Sequence, residues 1–124
     1  MSETVTVRIP ADTTHVALLR AAASALAARL GFPLDRITEL QIVVDEVCSR
    51  LMAITAGPTR ITMELRPAET GIGIVASADG PRRTGKELLS EWSRVILEAI
   101  ASDIRPDMVD GRTTLGLHVA RVGR

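Results

Sequence analysis

The sequence predicts an α/β (α+β) two-layer sandwich, with helices on one face of a mixed, mainly antiparallel sheet. Three observations predict it. Several short stretches alternate strictly between apolar and polar residues, the mark of strands with one buried and one wet face. Longer stretches carry apolar residues at steps of three and four, the spacing of helices with one buried side. The elements follow the order β-α-α-β-β-α-β-β, which suits an open sheet wetted on one side and covered by helices on the other.

Each element has its own signal. Residues 4–9 place Val5, Val7 and Ile9 on one face of a strand, and Pro10 ends it. Asp12 or Thr13 can cap a helix over residues 14–30, rich in Ala and Leu, which Gly31 closes. Phe32-Pro33 turns into a second helix, in which Ile37, Leu40, Val44, Val47, Leu51 and Ile54 share a face. Asp35 is a first-turn acid for its dipole, and Gly57-Pro58 stops it. Ile42 lies opposite that face, so cover on more than one side is expected. Residues 60–66 and 72–78 alternate again around a hairpin-length turn. Residues 79–85 form a loop, and helical spacing returns from Lys86 to about Ala101. A strand over 104–109 contains Pro106 and belongs at an edge or bulge. Asp110-Gly111 is a hairpin turn into a last strand over 113–121.

At 124 residues the chain is expected to be a single domain, residues 1–124. Fifteen basic residues cancel fifteen acidic ones, so neither a general nucleic-acid binder nor a binder of acidic membranes is indicated. Phe32 and Trp92 are the only aromatics, which leaves no platform for stacking bases. The single Cys48 excludes an internal disulfide framework and fits a reducing compartment. No apolar run approaches the ~20 residues of a membrane span, and no signal peptide is visible. A cytoplasmic protein is expected.

Chemistry concentrates on the second helix. Beside its apolar face runs a stripe of Glu39, Val43, Glu46, Arg50 and Ala53. A carboxylate there is either paired or poised for chemistry, and the plainer reading is an i,i+4 pair of Glu46 with Arg50. His15 and His118 have no second ligand at metal spacing, so no metal site is expected. The glycines form neither a Walker loop nor a dinucleotide fingerprint. Cys48 falls near the apolar face and reads as packing.

The run Glu39-Leu-Gln-Ile-Val-Val-Asp-Glu-Val-Cys-Ser-Arg-Leu51 resembles the first motif helix of the GHKL (histidine-kinase-like, Bergerat-fold) ATPase superfamily. Within it, the chain looks most like the RsbW-type anti-sigma factors of actinobacteria, over nearly the whole length from Val5 to Val119. In ATP-using members the motif is Glu, three residues, then Asn: the Glu handles the proton and the Asn holds Mg²⁺. Glu46 matches the first and is the implied general base. Arg50 stands at the second, and a guanidinium has no acceptor with which to ligate a metal. It could contact phosphate or pair with Glu46. The next motif, Asp-x-Gly-x-Gly, reads adenine through its Asp. Aligned on Gly80, that Asp becomes Ala78 and the last Gly becomes Arg82; a shift of one residue lets Asp79 serve. The Gly-rich lid is replaced by Ser90-Glu-Trp-Ser93 inside the helical pattern, and the Thr near the last strand is Thr113 or Thr114.

The resemblance implies a regulator that binds an alternative sigma factor and is countered by an anti-anti-sigma (STAS) partner, as a possible homodimer. ATP or ADP with Mg²⁺ is the family's cofactor, but three of its motifs are damaged here, so ATP binding and kinase activity are expected to be lost or weak. Phosphoryl transfer depends on held phosphates and metal. The alternatives are an ATP-dependent serine kinase acting on the anti-anti-sigma partner, and an interaction module of the same fold with another client.

Overall fold

Ile61, Met63 and Leu65 alternate with polar neighbours, and the computed structural model, which describes residues 3–123, makes them the inner face of a strand. The elements are β1 (Val5–Pro10), α1 (Thr13–Arg29), α2 (Leu34–Ile54), β2 (Arg60–Pro67), β3 (Gly71–Ala78), α3 (Glu91–Ile100), β4 (Ser102–Val109) and β5 (Arg112–Ala120). The strands form one sheet in the order β1-β2-β3-β5-β4. Every ladder is antiparallel. Helices lie on one face: α1 meets β1, α2 crosses β3 and β5, and α3 meets β4. The result is the expected α+β sandwich. As the proline signal suggested, β4 is an edge strand, and its register shifts between Ser102 and Arg105.

The core lies between α2 and the sheet. Leu40, Val43, Val44, Val47, Cys48, Leu51 and Ile54 of α2 are fully buried against Ile61, Met63, Ile72, Ala76 and Leu115. Burial pushes the Cys48 thiol up to about 12, so it packs as an apolar group. Asp12 caps α1, its carboxylate accepting from the His15 amide at 2.8 Å. Among the described residues no helix is long and apolar enough to cross a membrane, and no buried side-chain polar atom lacks a partner.

The cover of α2 on more than one side is present, contributed by the sheet, α1 and α3, although Ile42 itself does not take part in it. Ile42 is 45% exposed. The sheet lies beneath α2, α1 lies on one flank and α3 on the other, so the top of α2 stays open. The start of α3 needs correction: the helix begins at Glu91 rather than Lys86. Ser90 is extended and its hydroxyl accepts from the Ser93 amide at 3.1 Å, which is an N-cap. Leu88 and Leu89 are buried outside the helix, as part of the segment that leads into it.

Candidate functional site

Helices α2 and α3 run antiparallel, and the charged stripe of α2 faces α3. Glu46 and Arg50 do not pair with each other across their helical turn. The Ser93 hydroxyl donates to Glu46 Oε2 at 2.7 Å. Ser93 is fully buried, and its oxygen lies 2.9 Å from that of Ser90. With the Ser93 proton spent on Glu46, the Ser90 hydroxyl is the donor between the two serines. Arg50 reaches the segment ahead of α3: Nε donates to the Leu88 carbonyl at 2.7 Å and Nη2 to the Glu87 carbonyl at 2.9 Å. The two site residues of α2 thus hold residues 87–93, and that segment packs Leu88 and Leu89 into the protein.

The other candidate residues lie elsewhere. Asp79 follows β3 and is turned toward β1 and β2. Its Oδ2 accepts from Arg8 at 3.0 Å, and its Oδ1 accepts from Thr59 at 2.9 Å and from the Arg60 amide at 2.8 Å. Ala78, at the alternative position, is fully buried. Gly80 is pressed against Thr59, whose Cβ would lie 2.9 Å from any Cβ added there, so a larger residue would have to displace Thr59. Arg82 bridges Thr55 through its backbone, and its guanidinium donates to the Lys86 carbonyl at 3.4 Å. Thr114 pairs with Ser77 and Asp107 on the face of the sheet away from the helices, whereas Thr113 is buried on the helix side.

The family model for the histidine kinase-like ATPase domain matches residues 9–112, most of the chain. The chain belongs to this family. No curated protein matches it. The match places the Glu46 helix and the β2–β3 hairpin inside the family domain, in agreement with the GHKL resemblance of the sequence.

The side chains in this member do not fit a magnesium nucleotide held in the way of ATP-using members. Arg50, which the resemblance aligns with the metal-holding Asn, is a guanidinium with donors alone, two of which are given to backbone carbonyls. Both oxygens of Asp79 are engaged by protein donors. Where the resemblance puts a glycine-rich lid, Ser90-Glu-Trp-Ser93 forms the cap and first turn of α3. Two cavities are lined by neither Glu46 nor Arg50. One, of about 680 Å³, is an open groove where α2 begins and α3 ends, lined by Arg36, Glu39, Glu98 and His118 among others. The other, of about 290 Å³, lies between Arg8, Thr59, Arg60 and Asp79.

Arg36 and Ser93 carry structure that the sequence did not disclose. Arg36 is buried and donates from Nε and Nη2 to the Ala120 carbonyl, at 3.0 and 2.8 Å, and from Nη1 to Glu39 at 3.0 Å. It ties the start of α2 to the last strand.

Asp79 gives a pH prediction. The Arg60 amide, then the Thr59 hydroxyl, hold its carboxyl down at about 2, below the ~3.9 of an unfolded chain. A depressed value means that its bonds stabilise the fold above the unfolded value. That contribution is lost as the pH falls from about 4 to about 2. The stability gap between wild type and Asp79→Ala, read by urea unfolding, is therefore expected to shrink over that window. A gap that stays constant with pH would contradict the assignment.

Proposed function

We propose that this histidine kinase-like domain is a binding regulator of the RsbW-like kind: it holds an alternative sigma factor, releases it to an anti-anti-sigma partner, and does so with ATP binding and kinase activity lost or weak. The observation that carries the second half is the use of Glu46 and Arg50. The residues at the base and metal positions grip the polypeptide between Glu87 and Ser93. The first half rests on the resemblance of the sequence from Val5 to Val119.

The test is reconstitution. The purified chain is mixed with sigma factors and anti-anti-sigma proteins of its own cell, with and without Mg-ATP. One sigma factor is expected to be held equally tightly in both conditions, with no phosphate transferred to the competitor. Transfer of labelled phosphate to a serine of the anti-anti-sigma protein would establish the kinase reading instead. Capture of a client that is not a sigma factor would establish the interaction-module reading.

The same reading includes a homodimer through β1 and α1. The β1 edge is unpaired on its outer side, Val5 is 39% exposed, and Leu18 of α1 is 57% exposed. The opposite edge, β4, is guarded by Pro106 and its register shift, the usual defences of an edge strand. Sedimentation equilibrium is expected to give a dimer at micromolar concentration, shifted toward monomer by Val5→Lys. A monomer at high micromolar concentration would remove the dimer.

A further inference from the structure

Strand register divides the sheet residues between two faces, and charge is divided unequally. On the face away from the helices lie Arg8, Arg60, Arg66, Arg105 and Arg112. Glu64 and Asp107 are the acids that register sets among them. Glu64 answers Arg66 at 2.6 Å, and Asp79, at the strand end, answers Arg8. A chain of zero net charge thus carries a cationic open face.

The centre of this face is flat. Gly73 of β3 and Gly116 of β5 are diagonal neighbours, since Gly73 stands opposite His118 and Val75 opposite Gly116. The fold does not require glycine at either place. Neither has positive φ. An added Cβ would come no nearer than 3.6 Å to Arg66 Cβ in one case and 3.8 Å to the Ile74 carbonyl in the other, both ordinary contacts. At Gly71 the contrast is plain: a Cβ would collide with the Val119 carbonyl. Glycine within a central strand weakens it, and one common reason for keeping it is the close approach of another backbone.

We propose that this face is a docking surface for an acidic helical segment of a partner protein. The arginines select acidic character. Helical form follows from the backbone of the sheet, whose amides and carbonyls are already paired within the ladders. An extended segment laid over them would leave its own polar groups unsatisfied, whereas a helix satisfies them internally. The two glycines let that helix lie close. A second copy of the chain would set arginines against arginines. A nucleic-acid strand would find no Phe, Tyr or Trp on this face for stacking, only His118. The surface is separate from the Glu46 stripe, and its assignment does not depend on the sigma-factor reading.

The experiment titrates the full chain with a synthetic alanine–glutamate helical peptide of ~20 residues, followed by amide NMR shifts. Shifts are expected around Gly73, Val75 and Gly116, and to be absent with an alanine–glutamine peptide. The double variant Arg60→Glu/Arg105→Glu is expected to bind at least about tenfold more weakly. Gly116→Val is expected to weaken binding comparably while unfolding at the same or higher temperature. Should that variant misfold, Gly73→Ala supplies the same comparison. Shifts mapping to the helix layer, or affinity unchanged by the face-filling variant, would overturn the proposal. So would an oligonucleotide that binds these residues more tightly than the peptide. Concentration-dependent shifts on this face without peptide would assign it to a second copy and overturn the proposal as well.

Discussion

Replacing Leu51 by alanine is expected to lower the unfolding free energy by about 2–5 kcal/mol. Leu51 is fully buried in the middle of the shared core, on a helix that touches the sheet and both other helices. Truncation removes the transfer free energy of its methyl groups and leaves a cavity that the rigid sheet below cannot fill. Against a typical total of about 5–15 kcal/mol, that loss is large. Ile42→Ala, on the exposed top of the same helix, is expected to stay within about 0.5 kcal/mol. Urea denaturation of the two variants reads both effects. Equal midpoints for the two would show that the helix is phased differently.

The strands and α2 were legible because one rule governs them. Where a face is buried across several residues, alternation or three-four spacing must appear in the sequence. Ile61, Met63 and Leu65 obey it, and so do Val44, Val47 and Leu51. The rule misled at Leu89. Helical spacing through Leu89, Val95, Ile96 and Ile100 predicts a helix from Lys86. Leu89 is buried as part of a loop, and the Ser90 cap decides where the helix begins. Ile42 gave the right outcome for the wrong reason: α2 is covered by the sheet and both other helices, but Ile42 is exposed, since an apolar residue in a helix need not have a neighbour above it.

The candidate site was legible in its positions but not in its bonds. Spacing brought Glu46 and Arg50 onto one stripe of α2, where they are. It also suggested that they pair, and a turn of helix does permit that. Packing of α3 offers each a better partner: a buried serine hydroxyl for the carboxylate, and two carbonyls matching the planar fork of the guanidinium. The burial of Arg36 was invisible because, Glu39 apart, its acceptors are main-chain carbonyls of residues far along the chain. No residue type marks such an acceptor, so only the tertiary structure reveals it.

Calorimetric titration with ATP is expected to give a dissociation constant in the millimolar range or no heat, and no change on adding Mg²⁺. Three contacts of the family's ATP-using members are altered. Arg50 cannot ligate metal, Ala78 cannot read an adenine amino group, and Ser90-Glu-Trp-Ser93, the cap and first turn of α3, stands where the resemblance puts a glycine lid. Losing a hydrogen bond to a buried polar group costs about 1–3 kcal/mol. The losses do not strictly add, but two of them approach the ~4 kcal/mol that separates micromolar from millimolar binding. Arg50→Ala is expected to leave this weak affinity unchanged and to speed hydrogen exchange at Leu88 and Leu89, because it removes the side chain that holds their segment. Tight binding that requires Mg²⁺ would sink the proposal of lost or weak ATP binding. Tight binding without Mg²⁺ that Arg50→Ala abolishes would mean that Arg50 leaves the Glu87 and Leu88 carbonyls to grip phosphate. That exchange would open the segment ahead of α3 and make nucleotide a ligand, though still one without a metal ligand at position 50 for catalysis.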